Sequence, residues 1–284
     1  MSGRPDHLRD ARACRIHGQW VEARAVGSEA WQADVVVGVS LHNQAATLPD
    51  CLASIWAQEL QGQRVGILLL DDASTDPWME TAGDLLSHPG LVLLKMRCGS
   101  AAASRNAVLD FVDAVWPCAR WVARLDADDR LASSRALSAA CSLGDAAGAK
   151  FVLGGNGLRQ GGRILARDNA ASEELLRPEF VLARLKAMAK GTAENEIPSC
   201  NLLLARRAGY RYPLCTSAED HWLVVDLLLN HPQQGVILTE PMFAEYDLGG
   251  DLTRLNRRSD TYLASRRQLL AAAEEWADRW RATA

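Results

Sequence analysis

Val65-Gly66-Ile67-Leu68-Leu69-Leu70-Asp71-Asp72-Ala73-Ser74-Thr75-Asp76 runs from an unbroken apolar stretch straight into a cluster of carboxylates. The pattern recurs at Trp121-Val122-Ala123-Arg124-Leu125, which ends in Asp126-Ala127-Asp128-Asp129. A short apolar run bounded by turn residues reads as a strand covered on both faces. A carboxylate at the carboxyl end of such a strand stands where open α/β sheets bind ligands. Two such loops suggest a site for something that carries a metal and a nucleotide.

Working outward, Val35-Val36-Val37-Gly38-Val39 is a third buried strand. The helix after it has Thr47 as cap and Pro49 in its first turn, with Leu48, Leu52, Ile55 and Trp56 in one stripe. Strand 65–70, a helix near 77–87, strand 91–95, a helix near 101–115 and strand 120–125 follow. This alternation predicts a mostly parallel central sheet flanked by helices, with right-handed crossovers. Further on, 149–156 and 163–167 flank a Gly-rich turn at 157–162 and read as a hairpin. Helices are expected at Glu173–Lys190 and Ala218–Asn230, and strands at Ser199–Ala205 and Gly235–Thr239.

The two ends read as helical additions. Residues 1–33 are rich in Ala, Arg and Glu, and Gly18, Trp20 and Ala23 are spaced as in one helical-repeat unit. From about Ser259, Tyr262, Leu269, Ala273, Trp276 and Trp280 fall on one helical face. That face can cover the core, pair with a second subunit as a homodimer, or touch a membrane surface. Its acidic residues count against the last.

With 284 residues, 48% of them apolar, the chain has material for one large domain. A net charge of −4 argues against a nucleic-acid partner held by a basic surface. No apolar run reaches the roughly 18 residues of a spanning segment, and the amino terminus lacks the apolar core of a signal peptide. Seven widely spaced cysteines without a Cys-x-x-Cys read as reduced thiols in a cytoplasmic protein.

Four elements carry chemistry. Asp126-Ala127-Asp128-Asp129 can hold Mg²⁺ or Mn²⁺ through one or two oxygens and leave positions for diphosphate; it also reads as a cap for the following helix. Asp71 and Asp72 can accept hydrogen bonds from a base or ribose; the loop also offers ordinary capping groups. Gly99-Ser100-Ala101-Ala102-Ala103-Ser104-Arg105-Asn106 allows close approach at a helix start, with Arg105 reaching a nucleotide or facing solvent. Glu219-Asp220 opens a helix, either complementing its dipole or supplying a general base.

In this order and spacing the four elements resemble glycosyltransferase family 2, with its GT-A fold. Val39-Ser40-Leu41-His42-Asn43 stands at the family's first strand and Asn. Leu52-Ala53-Ser54-Ile55-Trp56-Ala57-Gln58 is similar to its Leu-x-Ser-Ile-x-x-Gln helix, and Leu125–Asp129 to its Leu-Asp-x-Asp-Asp loop. The resemblance implies a GT-A domain over 34–250, between a helical extension (1–33) and a helical tail (251–284). It implies nucleotide contacts from Ser40, Asn43, Asp71, Asp72, Arg105 and Asp126. Asp128 is implied as the ligand of Mn²⁺ or Mg²⁺, and Asp220 as the base, with Glu219 placing the acceptor. Two departures stand out. Ala73 replaces the usual Gly, and Tyr246-Asp247-Leu248-Gly249-Gly250 lacks the family's late His, a gap that a mobile Gly249–Gly250 loop could close.

The expected activity is inverting transfer of a hexosyl or N-acetylhexosaminyl group from a UDP-sugar to a carbohydrate, peptide or small-molecule acceptor. Two other readings stay open: sugar-phosphate nucleotidyl transfer, and an inactive GT-A module that binds a partner. A dinucleotide oxidoreductase is disfavoured, because no Gly-x-Gly-x-x-Gly follows a strand.

Overall fold

The computed structural model describes residues 8–160, 163–168, 171–192, 197–199, 201–215, 217–247 and 260–283. It begins with strands where helix was expected. β1 (Asp10–Ile16) and β2 (Gln19–Ala25) pair antiparallel across His17-Gly18. Both turn residues have positive φ, 48° and 79°, as a two-residue hairpin of type I′ requires. Ala, Arg and Glu favour helix, but burial alternates along β2, with Val21, Ala23 and Ala25 inside and Glu22 out. Packing against the sheet overrides propensity, and the helical extension over 1–33 is corrected to a hairpin followed by a 3₁₀ turn, Ser28–Gln32.

The central motif follows the expected order: β3 (Val35–Leu41), α1 (Leu48–Trp56), β4 (Val65–Asp72), α2 (Trp78–Ala82), β5 (Leu91–Met96), α3 (Ala101–Val115) and β6 (Trp121–Asp126). β3 pairs in parallel with both β4 and β6, and β4 with β5. α2 is a single turn extended by a 3₁₀ stretch, Gly83–Ser87. Thr47 holds the cap position of α1 without a capping bond; its hydroxyl donates to Gln44 O instead. Ser100 does cap α3, accepting from Ala103 N–H at 3.2 Å.

Next come β7 (Arg130–Leu131), α4 (Ala136–Ala147), β8 (Phe151–Gly154), β9 (Asn156–Gln160), β10 (Arg163–Asp168), α5 (Pro178–Lys190) and β11 (Leu202–Ala205). The chain ends with α6 (Glu219–Asn230), β12 (Gly235–Leu238), β13 (Ala244–Asp247) and a last helix, α7 (Asp260–Thr283). Among the described residues the main sheet has nine strands in the order β1-β2-β5-β4-β3-β6-β11-β8-β12, and a second sheet runs β10-β9-β13-β7. The expected hairpin is therefore β9 with β10. β8 leaves it at Gly154 to pair with β11 and β12 in the main sheet.

Side chains of β3 and β4 alternate between two cores. Val36, Leu68 and Leu70 join α3, α5, α6 and α7 on one face; Val37, Ile67 and Leu69 join α1, α2 and α4 on the other. Gly38 is where β3 meets α3: a Cβ there would lie 2.3 Å from Val108 Cγ1. The buried face of α7, including Leu269, Ala273 and Ala277, packs on α5 and α6 of its own chain. Of the uses read for this stripe, covering the core of its own chain is the one these contacts show. The side chain of Trp280, the Gly249–Gly250 loop and Cys200 lie outside the described residues.

Candidate active site

At the carboxyl ends of β3, β4 and β6 the sheet opens into a cavity of about 820 Å³. Strand order reverses here: β4 and β5 lie to one side of β3, and β6 lies to the other. In open α/β sheets this switch point is the usual ligand crevice. Ser40, Asp72, Arg105, Asp126, Asp128, Asp129, Glu219 and Asp220 all border the cavity, so residues distant in sequence meet in one place.

Asn43 and Asp71 do not border it. Asn43 has φ 55°, and its Oδ1 accepts from Thr75 N–H at 2.8 Å, Asp76 N–H at 3.3 Å and the Thr75 hydroxyl at 3.2 Å. It fastens the loop after β3 to the loop after β4. Asp71 is 5% exposed and turns into its own loop, accepting from Ser74 N–H at 2.9 Å. Its neighbour Asp72 takes the cavity wall, held by Cys98 N–H (2.7 Å) and the Ser104 hydroxyl (2.6 Å). Asn43 and Asp71 thus brace the loops after β3 and β4, while Ser40 and Asp72 beside them line the cavity. Ala73, next along, has φ 56°, the left-handed conformation glycine adopts most readily. That accounts physically for the Gly expected at this position.

The Asp126–Asp129 loop is built around two arginines. Arg105, on the second turn of α3, does not face solvent. Its guanidinium donates to Asp126 at 3.1 and 3.2 Å and also pairs with Glu219. Arg124 lies two residues before Asp126 on β6 and so points to the same face. It donates to Asp126 Oδ2 at 2.5 Å and to Ser199 O at 3.2 Å, and stands 3.7 Å from Asp220. The Tyr212 ring lies under both guanidinium groups, 5.7 and 6.0 Å away. Burial pushes the Asp126 carboxyl up, but Arg105 and Arg124 outweigh it and hold the pKa below its usual value. Burial likewise works against the Arg124 charge, yet Asp126, Tyr212 and Asp220 hold its pKa well above the ordinary arginine value.

Carboxylate oxygens of Asp126, Asp128 and Asp129 approach within 4.8 Å of one another. An all-oxygen donor set of this kind suits Mg²⁺ or Mn²⁺. Asp126 is already engaged by two guanidinium groups, so a cation would rest chiefly on Asp128, with Asp129 beside it.

Asp220 sits in the first turn of α6, where the helix dipole favours an anion. Its Oδ2 accepts from the Ser199 hydroxyl at 2.9 Å and its Oδ1 from His221 N–H at 2.8 Å. Burial raises its pKa, but His221, Arg124 and Arg105 overcome that and hold it well below the usual carboxylate range. Tyr246 is hydrogen-bonded to Ser199; burial and Asp129 push its phenol well above the usual range, so it stays a neutral donor.

Sequence reasoning missed Arg124, Ser199 and Tyr212, and marked the stretch of Tyr246 only for its lack of a His. Only Arg124 left a signal: a charge inside an otherwise apolar strand, in register with Asp126. Ser199 and Tyr212 reach the cluster through tertiary packing, and Tyr212 is held there by a reciprocal pair of 2.8 Å bonds between its backbone and Asn106.

Residues 36–200, more than half of the chain, match the family model described as glycosyl transferase family 2. No curated protein matches the sequence. Among solved structures, S. aureus TarS 1–349 aligns with a TM-score of 0.57 at 17% identity, over 86% of this chain and 71% of that one. Its complex with UDP-GlcNAc gives 0.56 at 16%, over 86% and 72%. The mannosyltransferase PcManGT from Pyrobaculum calidifontis, in complex with GDP-Man and Mn²⁺, gives 0.49 at 18%, over 74% and 58%. At these identities the likeness to TarS is one of fold.

Proposed function

The chain belongs to glycosyl transferase family 2, and from that premise we propose that it moves a sugar from a UDP-sugar to an acceptor hydroxyl, with inversion and with a divalent cation. The observation that carries the proposal is the joining of two distant carboxylate groups, Asp126-Ala127-Asp128-Asp129 and Glu219-Asp220, on the walls of one cavity. Similarity of fold to TarS, solved with UDP and with UDP-GlcNAc, supports the choice of a uridine nucleotide.

In this reading Asp72 and Ser40 receive the nucleoside, and Asp128 holds the cation. A cation bound there supplies a Lewis acid for the leaving diphosphate. The acceptor oxygen attacks the anomeric carbon as the bond to the diphosphate oxygen breaks, and its proton passes to Asp220. The low pKa of Asp220 keeps it ionised at neutral pH. A weak base suffices, because the hydroxyl becomes acidic as its new bond forms. Ser199 and His221 N–H hold the carboxylate in place, leaving lone pairs toward the cavity. The end of β3 and the loop after it, Ser40–Ala46, carry no lysine or arginine to cradle a triphosphate, which counts against nucleotidyl transfer.

Calorimetry with UDP tests this. Mn²⁺ should strengthen UDP binding in the native chain, and Asp128→Ala should remove that gain. Asp220→Asn should bind UDP normally and lose transfer. Equal UDP affinity with and without metal would end the metal assignment; retained transfer in Asp220→Asn would end the base assignment.

A further inference from the structure

Four arginines border the cavity: Arg97, Arg105, Arg124 and Arg266. Arg105 and Arg124 are held by Asp126, and Arg266 is 3% exposed, its guanidinium carbon 3.3 Å from the centre of the Tyr262 ring. Arg97 differs. It is exposed, and its side chain makes no hydrogen bond, ion pair or ring contact among the described residues. Lys95, two residues earlier, lies over the Trp78 ring at 5.7 Å instead. The backbone fixes where Arg97 starts. Met96, before it, is level with Asp72 on the neighbouring strand, and Cys98, after it, donates its N–H to Asp72 Oδ1 at 2.7 Å. Arg97 therefore stands beside the carboxylate assigned to the nucleoside. β5 is three places from β6 in the sheet, about 14 Å at the usual strand spacing. The diphosphate is assigned to the end of β6, so Arg97 lies at the other end of the donor, beyond Asp72. We propose that Arg97 is a specificity-determining residue that reads the base: it donates to the carbonyl oxygen at C4 of uracil and so selects uridine over cytidine nucleotides. This deepens the glycosyl-transfer reading and rests on it.

In a pyrimidine nucleotide the C4 edge is the part farthest from the ribose, so it is the part that extends outward past Asp72. Uracil presents an N–H at N3 and then a carbonyl at C4. Cytosine reverses the order, with a bare ring nitrogen at N3 and an amino donor at C4. A carboxylate only accepts and a guanidinium only donates. Asp72 on the inner side and Arg97 on the outer side thus match uracil at both positions and oppose cytosine at both. The two bases have nearly the same size, so shape alone separates them poorly. A site that hydrogen-bonds a particular group rejects the analogue lacking it far more strongly. An exposed arginine suits this task, because water satisfies its donors while the site is empty.

The test uses the full chain with Mn²⁺. Calorimetric titrations compare UDP with CDP, which differ only at N3 and C4 of the base. The native chain should bind UDP at least about tenfold more tightly. Arg97→Ala should remove most of that preference, chiefly by weakening UDP. Arg97→Lys, which keeps a donor, should retain part of it. Both variants change an exposed side chain without partners, so both should unfold at the native midpoint. No preference for UDP in the native chain, or a preference that survives Arg97→Ala, would overturn the proposal. So would an equal loss of UDP and CDP affinity in Arg97→Ala, which would assign the residue to the ribose or the diphosphate. Failure of the native chain to bind either nucleotide would instead bring down the glycosyl-transfer reading.

Discussion

Arg105→Met removes a cation that touches both Asp126 and Glu219. The three side chains are 10%, 24% and 15% exposed, so water replaces the lost partner poorly. At the 3.1 Å separation from Asp126, an effective dielectric of 20 gives a gross attraction of about 5 kcal/mol. Asp126 keeps Arg124. Among the described residues, Glu219 keeps no other ion pair. Breaking one side of a buried pair costs about 3–5 kcal/mol, and the lower figure applies because Asp126 retains a partner. For a chain of 284 residues a loss of about 3 kcal/mol lowers Tm by roughly 5 °C. Adding Glu219→Gln removes the orphaned charge and should return about half of the loss, since replacing both partners is far milder than removing one.

The sign of the pH dependence follows from Asp126. Its folded pKa is depressed, so its contribution is full above the unfolded value of about 3.9 and disappears as pH falls through the folded one. Urea unfolding at pH 7 should show the full gap between the native chain and Arg105→Met, and the gap should narrow below about pH 4. A gap under about 1 kcal/mol at pH 7, a gap that widens in acid, or no recovery on adding Glu219→Gln would each refute the coupling.

Three other outcomes are expected. Because Asp220 is held well below the usual carboxylate range, kcat/KM in the native chain should lose its acid limb only below about pH 4. Arg124→Gln removes a cation 3.7 Å away, which raises that pKa and must move the limb toward neutrality; a limb that stays put would remove Arg124 from the charge balance of the base. Ala73→Gly should raise stability by about 0.5–1 kcal/mol, because it relieves a left-handed alanine (φ 56°) at some cost in unfolded-chain entropy; an unchanged or lower denaturation midpoint would contradict this. Gly38→Ala places a methyl 2.3 Å from Val108 Cγ1 and should cost about 1–3 kcal/mol, much of it returned by Val108→Ala.

The central α/β motif was legible because its strands are covered on both faces and so read as continuous apolar runs. Strand after strand fell within a residue or two of expectation, and α3 matched at both ends. The amino-terminal hairpin was hidden by composition. Alanine, arginine and glutamate carry a helical preference, and the decisive residues, His17 and Gly18, fit a turn only once the alternation of Val21, Ala23 and Ala25 is set beside them. The second sheet was illegible for another reason: β7 is two residues long and β13 four, too short to show a periodic pattern. Within the site, the acidic loops and Glu219-Asp220 were readable as motifs, while their division of labour was not. Asp71 and Asp72 look alike in sequence, but the pleat sends neighbouring side chains to opposite faces, so one fastens a turn and the other borders the cavity. Tyr262 and Arg266 carried a helical pattern and nothing that linked them to a cavity formed mostly by residues more than forty positions earlier.

The amino-terminal hairpin also decides how the sheet ends. β2 covers the outer side of β5 through Ala23–Leu94, Arg24–Leu93 and Ala25–Val92. β1 then closes the row with Asp10, Arg12 and Arg15 on the outermost strand. A chain trimmed to begin at Asp34, where the apolar strands start, would bare the hydrogen-bonding groups of Leu91–Met96 along an almost wholly apolar strand. Such an edge is a template for another copy of itself. The described residues before Asp34 place none of their side chains on the cavity; instead they extend the sheet past β5 and end it on a strand whose charges oppose further pairing.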